Sequence, residues 1–281
     1  MLATTPEQIR ATQNRYYVPN NSVLVVTGDV KAEDVFAKAD QLYAGWTKSP
    51  DPFVRFPLVH NPPIQRSQVV LVQQPVQTFI GNLQWQGPST GDASVNDTYA
   101  ADLLGELLAD PASTFQKVLV DSGACVSAGM RWTTARNVGE ISLELESTES
   151  NVDACVRGAL AELPKLRGAA YFADEELRNA AHGLEVDLVK RRQTSEGYAH
   201  QITAFWATAS LDYYGTYVQR LKAVQRADIA RYLDQYVLGR PFVFGAMESP
   251  KLAASIDRGH LEALVGLAPT LPTRNRSGDT R

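Results

Sequence analysis

Long apolar runs, histidine and cysteine are all scarce in this sequence, and positive charge is not in excess. No uninterrupted run of about 18 apolar residues occurs, which excludes a membrane-spanning helix. Lysine plus arginine is 27 against 31 acidic residues, a formal net charge of −4. That balance lacks the basic footprint of a nucleic-acid binder. The two cysteines, Cys125 and Cys155, cannot build a multi-bridge framework or a C-x-x-C site. Cys125 falls in a predicted strand and Cys155 on a predicted helix, where they read as two buried thiols. A bridge would need Cα atoms within about 7 Å, which spacing alone cannot supply. No G-x-S-x-G elbow occurs, and Gly81, Gly87 and Gly91 lack phosphate-loop spacing.

What remains is an ordinary globular composition. The chain has 281 residues, 44% hydrophobic and 21% charged, enough for a sizeable core and roughly two domains. Met1–Glu7 has no basic stretch followed by an apolar one, so it does not read as a signal or transit peptide. It opens directly into a helix start, with Thr5 as N-cap and Pro6 at the first helical position.

Periodicity predicts helices over 6–17 and 32–44, with a nearly continuous apolar run between them, Ser22–Gly28 (SVLVVTG), that reads as a buried strand. Five prolines between Gly45 and Arg66 mark a linker. Strands follow at 68–72 and 79–85, helices at 94–109 and 113–121, and a hairpin of 125–132 and 139–146. In that hairpin Ile141–Glu146 alternates as a strand with one wet face. Helices are expected at 151–166, 173–193, 197–209, 226–237 and 250–265, with a short strand at 242–245. Hairpin strands followed by clustered helices indicate an α+β fold, an antiparallel or mixed sheet packed against helices.

The four histidines bound any imidazole chemistry. His182 and Glu185 read as surface residues of the 173–193 helix, and His200 as a helix-packing residue. His60 lies in the linker. Lys190-Arg191-Arg192 reads as a solvated helix end suited to the C-terminal dipole. Tyr213, Tyr214 and Tyr217 read as core or interface packing. No serine or threonine can be paired with a histidine from sequence.

The most informative feature is an internal repeat. Residues 5–28 and 225–245 each run helix, aromatic, proline turn, apolar strand and glycine. Ile9 matches Ile229 and Tyr16 matches Tyr236 at an offset of 220. One structural copy then spans about 220 residues.

Tyr16-Tyr17-Val18-Pro19-Asn20-Asn21-Ser22-Val23-Leu24-Val25-Val26-Thr27-Gly28-Asp29-Val30 resembles the YxPNNxxLVxxGD segment of the pitrilysin/insulinase zinc peptidases, the inverzincins with an H-x-x-E-H helix. Ser113–Ala128 is similar to that family's "SSRLYQxLRExxGLAYSVSA" stretch, and Asp174-Glu175-Glu176-Leu177 to its "TEEEL" helix start. The resemblance implies one complete unit of a duplicated peptidase fold. Residues 1–46 would be the helix–strand–helix tail of a preceding homologous domain, 47–66 a Pro-rich linker, 67–270 the complete unit and 271–281 a flexible tail.

Such peptidases need two histidines and a glutamate on one helical turn to hold zinc and activate water. No H-x-x-E-H occurs in this sequence. The nearest string, His182-Gly-Leu-Glu185-Val186, has valine at the second ligand position. The repeat places the counterpart of the zinc helix at 94–109, where Asp102-Leu-Leu-Gly105-Glu106-Leu-Leu108 carries no imidazole. Asp102 and Glu106 read there as surface carboxylates. The family's substrate-holding Arg and Tyr align near Val120 and Val126, and Leu119, Asp121, Cys125 and Ser127 beside them are neither Arg nor Tyr.

No catalytic, cofactor-binding or metal-ligating residue is therefore assigned, and zinc is expected in a preceding domain or a partner. The resemblance implies a non-catalytic domain closing a peptide-binding chamber opposite a zinc-bearing domain, with peptide as substrate of the assembled enzyme. The alternative is a scaffold or assembly subunit built on an inactive peptidase fold. Bacterial members are often exported, which is compatible with a periplasmic parent, and the residues alone leave the compartment open. Cut from its first copy, the strand 22–28 must satisfy its backbone by docking on the second unit or by forming a homodimer through residues 22–28.

Overall fold

The computed structural model describes residues 4–57 and 62–268. The chain divides into two units, 1–62 with 186–215, and 63–185 with 216–281. The larger unit is built on a five-stranded mixed sheet. Its strands are β1 (Gln68–Gln73), β2 (Phe79–Gly87), β3 (Ser127–Thr133), β4 (Gly139–Ser147) and β5 (Val243–Glu248), in the spatial order β1-β5-β2-β4-β3. β5 is parallel to β1 and antiparallel to β2, and β2-β4-β3 is antiparallel throughout.

The alternation predicted for 141–146 holds. Ile141, Leu143 and Leu145 are buried with Phe79, Leu83, Trp85 and Phe244 on one face, while Ile80 and Val70 stay exposed on the other. Gly139 sits against Trp132 so closely that a β-carbon there would collide with the indole.

The helices of the chain are α1 (Pro6–Tyr16), α2 (Ala32–Tyr43), α3 (Pro52–Arg55), α4 (Val95–Ala109), α5 (Thr114–Gln116), α6 (Val152–Glu162), α7 (Asp174–Arg191), α8 (Ser195–Thr208), α9 (Leu211–Lys222), α10 (Arg226–Tyr236) and α11 (Arg258–Leu264). Within the larger unit α4 packs on β3, α6 on β4, α10 on α4 and β2, and α11 on β1 and α6. α4 buries Tyr99, Ala100, Ala101, Leu103, Leu104, Leu107 and Leu108, apolar on most of its circumference as a central core helix must be. One polar link fixes α10 to it. Asp97, buried near the start of α4, accepts from Arg231 at 3.0 Å and from the Tyr236 hydroxyl at 2.9 Å.

The smaller unit holds α1, a 3-10 turn Pro19–Asn21, α2, α3 and α8. Thr5 and Gln8 close a capping box on α1, as the Thr5-Pro6 start predicts. Tyr16 anchors the far end, its ring 5.8 Å from Phe53 and its hydroxyl donating to the Phe56 carbonyl at 3.4 Å. In this unit Tyr214 donates to Gln201 at 2.8 Å, and the Arg192 guanidinium lies 4.9 Å from the Tyr214 ring centre.

Several expectations need correction. Residues 22–27 form no strand, and no strand of the described residues pairs with them. Thr27 instead donates through its hydroxyl to the Ser195 carbonyl at 2.6 Å. The physical reason is that a strand needs a neighbouring edge, and the described residues of the smaller unit hold no sheet. A helix over 211–222 was not predicted, although Tyr213, Tyr217 and Leu221 recur every fourth residue and are all buried. The helix expected at 250–265 is a 3-10 turn Leu252–Ala254 and a separate α11, which restarts where Asp257 caps His260. The cysteines are bonded, Cys125 to Cys155, with Cα atoms 4.9 Å apart. His60 lies outside the described residues.

Candidate functional site

Three places can be tested for chemistry. They are the α4 counterpart of a zinc helix, the glycine loop before β3, and the His182–Glu185 string.

On α4, Asp102 is not a surface carboxylate. Its side chain is half-buried against α9, where the Tyr217 hydroxyl donates to it at 2.9 Å. Burial pushes its pKa up to about 7, against the lowering effect of that hydrogen bond. The correction follows from α9, which supplies the tyrosine and which periodicity did not announce. Glu106, one turn on, lies within 3.0 Å of where a β-carbon on Gly183 would project. Zinc does not fit here. One half-buried carboxyl with a tyrosine partner and no imidazole on the turn is not a tetrahedral donor set. Among the described residues no three His, Cys, Asp or Glu side chains come together as a metal-holding group.

The glycine loop follows α5 and a π-helical turn, Lys117–Asp121. Gly123 turns the chain at φ +79°, its N–H donating to the Val120 carbonyl at 2.8 Å. The Leu119 carbonyl then accepts from the Cys125 N–H at 2.7 Å, and the disulfide ties the loop to α6. Leu119 is buried, while Val126 is exposed on the strand side of the bridge. The loop is thus rigid but offers no side-chain donor from Val120 or Val126 to a developing oxyanion.

His182 and Glu185 lie on α7 with Nδ1 and Oε2 3.5 Å apart. Glu185 has a stronger partner in Lys222, 2.7 Å away, whose hydrogen bond holds its carboxyl below the usual carboxylate range. The pair is a surface ion-pair cluster joining α7 to α9. His200 is not the helix-packing residue its sequence context predicts. Its side chain is largely exposed beside Glu196 at 3.8 Å and packs no helix. Lys190 pairs with Asp187 at 3.6 Å, and the Arg192 guanidinium lies over the Tyr214 ring. His260 faces Asp153 at 2.6 Å, and that contact lowers the Asp153 pKa.

Sequence reasoning missed one further group. Glu248 ends β5 fully buried, with neither carboxyl oxygen hydrogen-bonded, and burial raises its pKa. Its place at the end of an alternating strand is the signal that could have found it. No helix of the described residues is long and apolar enough to cross a membrane.

The fold recurs in known structures at low sequence identity. A protease from Helicobacter pylori is similar with a TM-score of 0.77 at 18% identity, over 88% of this chain and 60% of that one. The peptidase M16 inactive domain from Pseudomonas fluorescens is similar with a TM-score of 0.67 at 15% identity, over 88% and 58%. A predicted insulinase family protease from Yersinia pestis is similar with a TM-score of 0.61 at 17% identity, over 93% and 58%. This chain therefore spans about 60% of the length of the structures it resembles. No curated protein sequence matches it. Residues 3–184 match the Peptidase M16 inactive domain. The chain belongs to the M16 peptidase family, and the part of that family it matches is the inactive domain.

Proposed function

We propose that this chain is the non-catalytic half of a zinc metallopeptidase, which closes a peptide-binding chamber opposite a zinc-bearing domain or subunit. The observation that carries the reading is α4. Where the repeat puts a zinc helix, this unit has Asp102 held by Tyr217 and no imidazole. In this reading residues 1–46 are the tail of a preceding homologous domain and 47–66 the linker to the complete unit. Zinc and the general base belong to the partner, and this chain contributes wall and positioning. The buried Cys125–Cys155 bridge supports an oxidising compartment, such as a periplasm, as the place of folding.

Metal analysis and a peptide-cleavage assay test the proposal. The purified chain alone is expected to hold no stoichiometric zinc and to cleave nothing. Addition of an H-x-x-E-H-bearing unit from the same source is expected to give chelator-sensitive cleavage faster than that unit alone. Zinc-dependent cleavage by the chain by itself would overturn the reading. So would a partner unit whose activity the chain leaves unchanged.

A further inference from the structure

We propose that residues 252–265, the 3-10 turn and α11, form a pH-gated cover over Glu248, seated while Glu248 is protonated and Asp153 is ionised, and loosened when either changes state. The device lies within the larger unit and does not depend on the partner reading above.

Glu248 is the group to be covered. It ends β5 in register with Gln73 of β1 and shares the buried face of its strand with Phe244 and Ala246. Its exposure is 0%, and neither carboxyl oxygen has a hydrogen-bond partner. An ionised carboxylate there would lack both water and a counterion, so the fold holds the neutral acid. Burial raises its pKa, and the like charge of Asp257 raises it further.

The cations nearby in the chain are committed to other carboxylates. Lys251 pairs with Glu149 at 3.3 Å, Arg258 with Glu262 at 2.9 Å and Arg157 with Asp153 at 3.5 Å. The charges of α10, the helix on β2, pair with Asp97, Arg167 and Asp174 and with one another.

The cover itself is slight. α11 has seven residues and lies on β1 and α6, seated by Leu261 and Leu264, with Leu252 and Ile256 buried ahead of it. Asp257 caps it by accepting from the His260 N–H at 2.7 Å. A polar tether joins it to α6, where His260 Nε2 lies 2.6 Å from Asp153 Oδ1. The hydrogen bond from His260 lowers the Asp153 pKa, so the tether favours the ionised carboxylate. Glu149, lowered by its bonds to Ser249 and Lys251 just before the turn, acts in the same sense.

Two sets of carboxyls thus hold one short segment with opposite demands. Glu248, raised, contributes fully below the ordinary carboxylate value of about 4 and loses that contribution as pH rises. Asp153, lowered, contributes fully above about 4 and loses it as pH falls. The segment is therefore seated most firmly in mild acid, at about pH 4 to 5. A seven-residue helix opens at lower cost than the paired strands beneath it, so water reaches Glu248 by lifting the cover, not by parting the sheet. Lifting it bares the inner side of β1, a strand at the edge of the sheet.

The test follows amide exchange of the full 281-residue chain across acid and alkaline pH, each rate divided by its unstructured value. Protection of 261–265 is expected to peak at about pH 4 to 5 and to fall above it by up to about ten-fold per pH unit, the limit for one proton. Glu248→Gln is expected to flatten that fall. So is Glu248→Met, which leaves no polar group to bury. Asp153→Asn is expected to lessen the fall on the acid side. The amides of 141–146 in β4 are expected to stay better protected than 261–265 at every pH. Protection of 261–265 that does not fall above the peak would overturn the proposal, as would a fall of the same steepness in both Glu248 variants. Equal protection of 261–265 and 141–146 throughout would overturn it as well, since the unit would then open as a whole.

Discussion

α1 and α10 carry the same pattern and meet opposite fates. Each is an 11-residue helix with an isoleucine at its fourth position, an aromatic at its end and a turn with proline before an apolar run. Ile229 is 1% exposed, Ile9 59%. α10 is locked by Asp97 against α4, while α1 is held by a capping box and the Tyr16 contacts with Phe53 and Phe56. The difference lies in what stands beside each helix, not in the helix. An amphipathic pattern specifies which face wants burial, and only a neighbouring sheet or helix can bury it.

Core deletion should separate the two copies most sharply. Ile229→Ala is expected to cost about 2–5 kcal/mol, the range for emptying a packed site. Ile9→Ala should stay within about 0.5 kcal/mol, as for an exposed residue. Urea unfolding of both variants measures the contrast, and equal losses would mean that α1 is already buried in solution.

The bridge gives the next effect. Cys125 and Cys155 are 30 residues apart, so their bridge should stabilise the larger unit by about 3 kcal/mol. Reduction, or Cys155→Ala, should lower the unfolding midpoint accordingly. Peptide mapping without reductant should recover the linked pair.

A pH scan probes the core of the larger unit. Asp102 is raised to about 7 and Glu248 is raised as well, so the folded state keeps protons that the unfolded state has released. Stability is then highest below the unfolded carboxylate value near 4. For Asp102 it falls as pH rises towards about 7, by at most about 1.4 kcal/mol per pH unit. Asp102→Asn should flatten that slope and make the protein more resistant to urea at pH 8 than the parent chain. A slope unchanged by this substitution and by Glu248→Gln would contradict the burial of both groups.

The smallest effect is at the surface. His182→Ala should change stability by less than about 0.5 kcal/mol and leave any partner-dependent cleavage intact, since Glu185 keeps Lys222.

Much of this was legible in sequence because it is local. Caps, proline turns and the 141–146 alternation are set by residues within a few positions of one another, and those elements formed where expected. The missed features all need a distant partner. Asp102 looked exposed because Tyr217, 115 positions away, could not be foreseen beside it. The thiols looked free because strand and helix periodicity say nothing of the distance between Cys125 and Cys155. Residues 22–28 looked like a strand because composition records a preference for burial, not the presence of a second edge. α9 is a different case, since its 213/217/221 spacing was readable.

The sequence by itself determined the α+β class, the repeat at an offset of 220 and the lack of an H-x-x-E-H helix, because these depend on residue identity and order. The tertiary structure decided which copy of the repeated helix is buried, which carboxyl holds a proton near neutrality and that the two cysteines meet. Each of those outcomes depends on what a side chain touches across the fold, and burial, desolvation and covalent closure exist only once distant segments have come together.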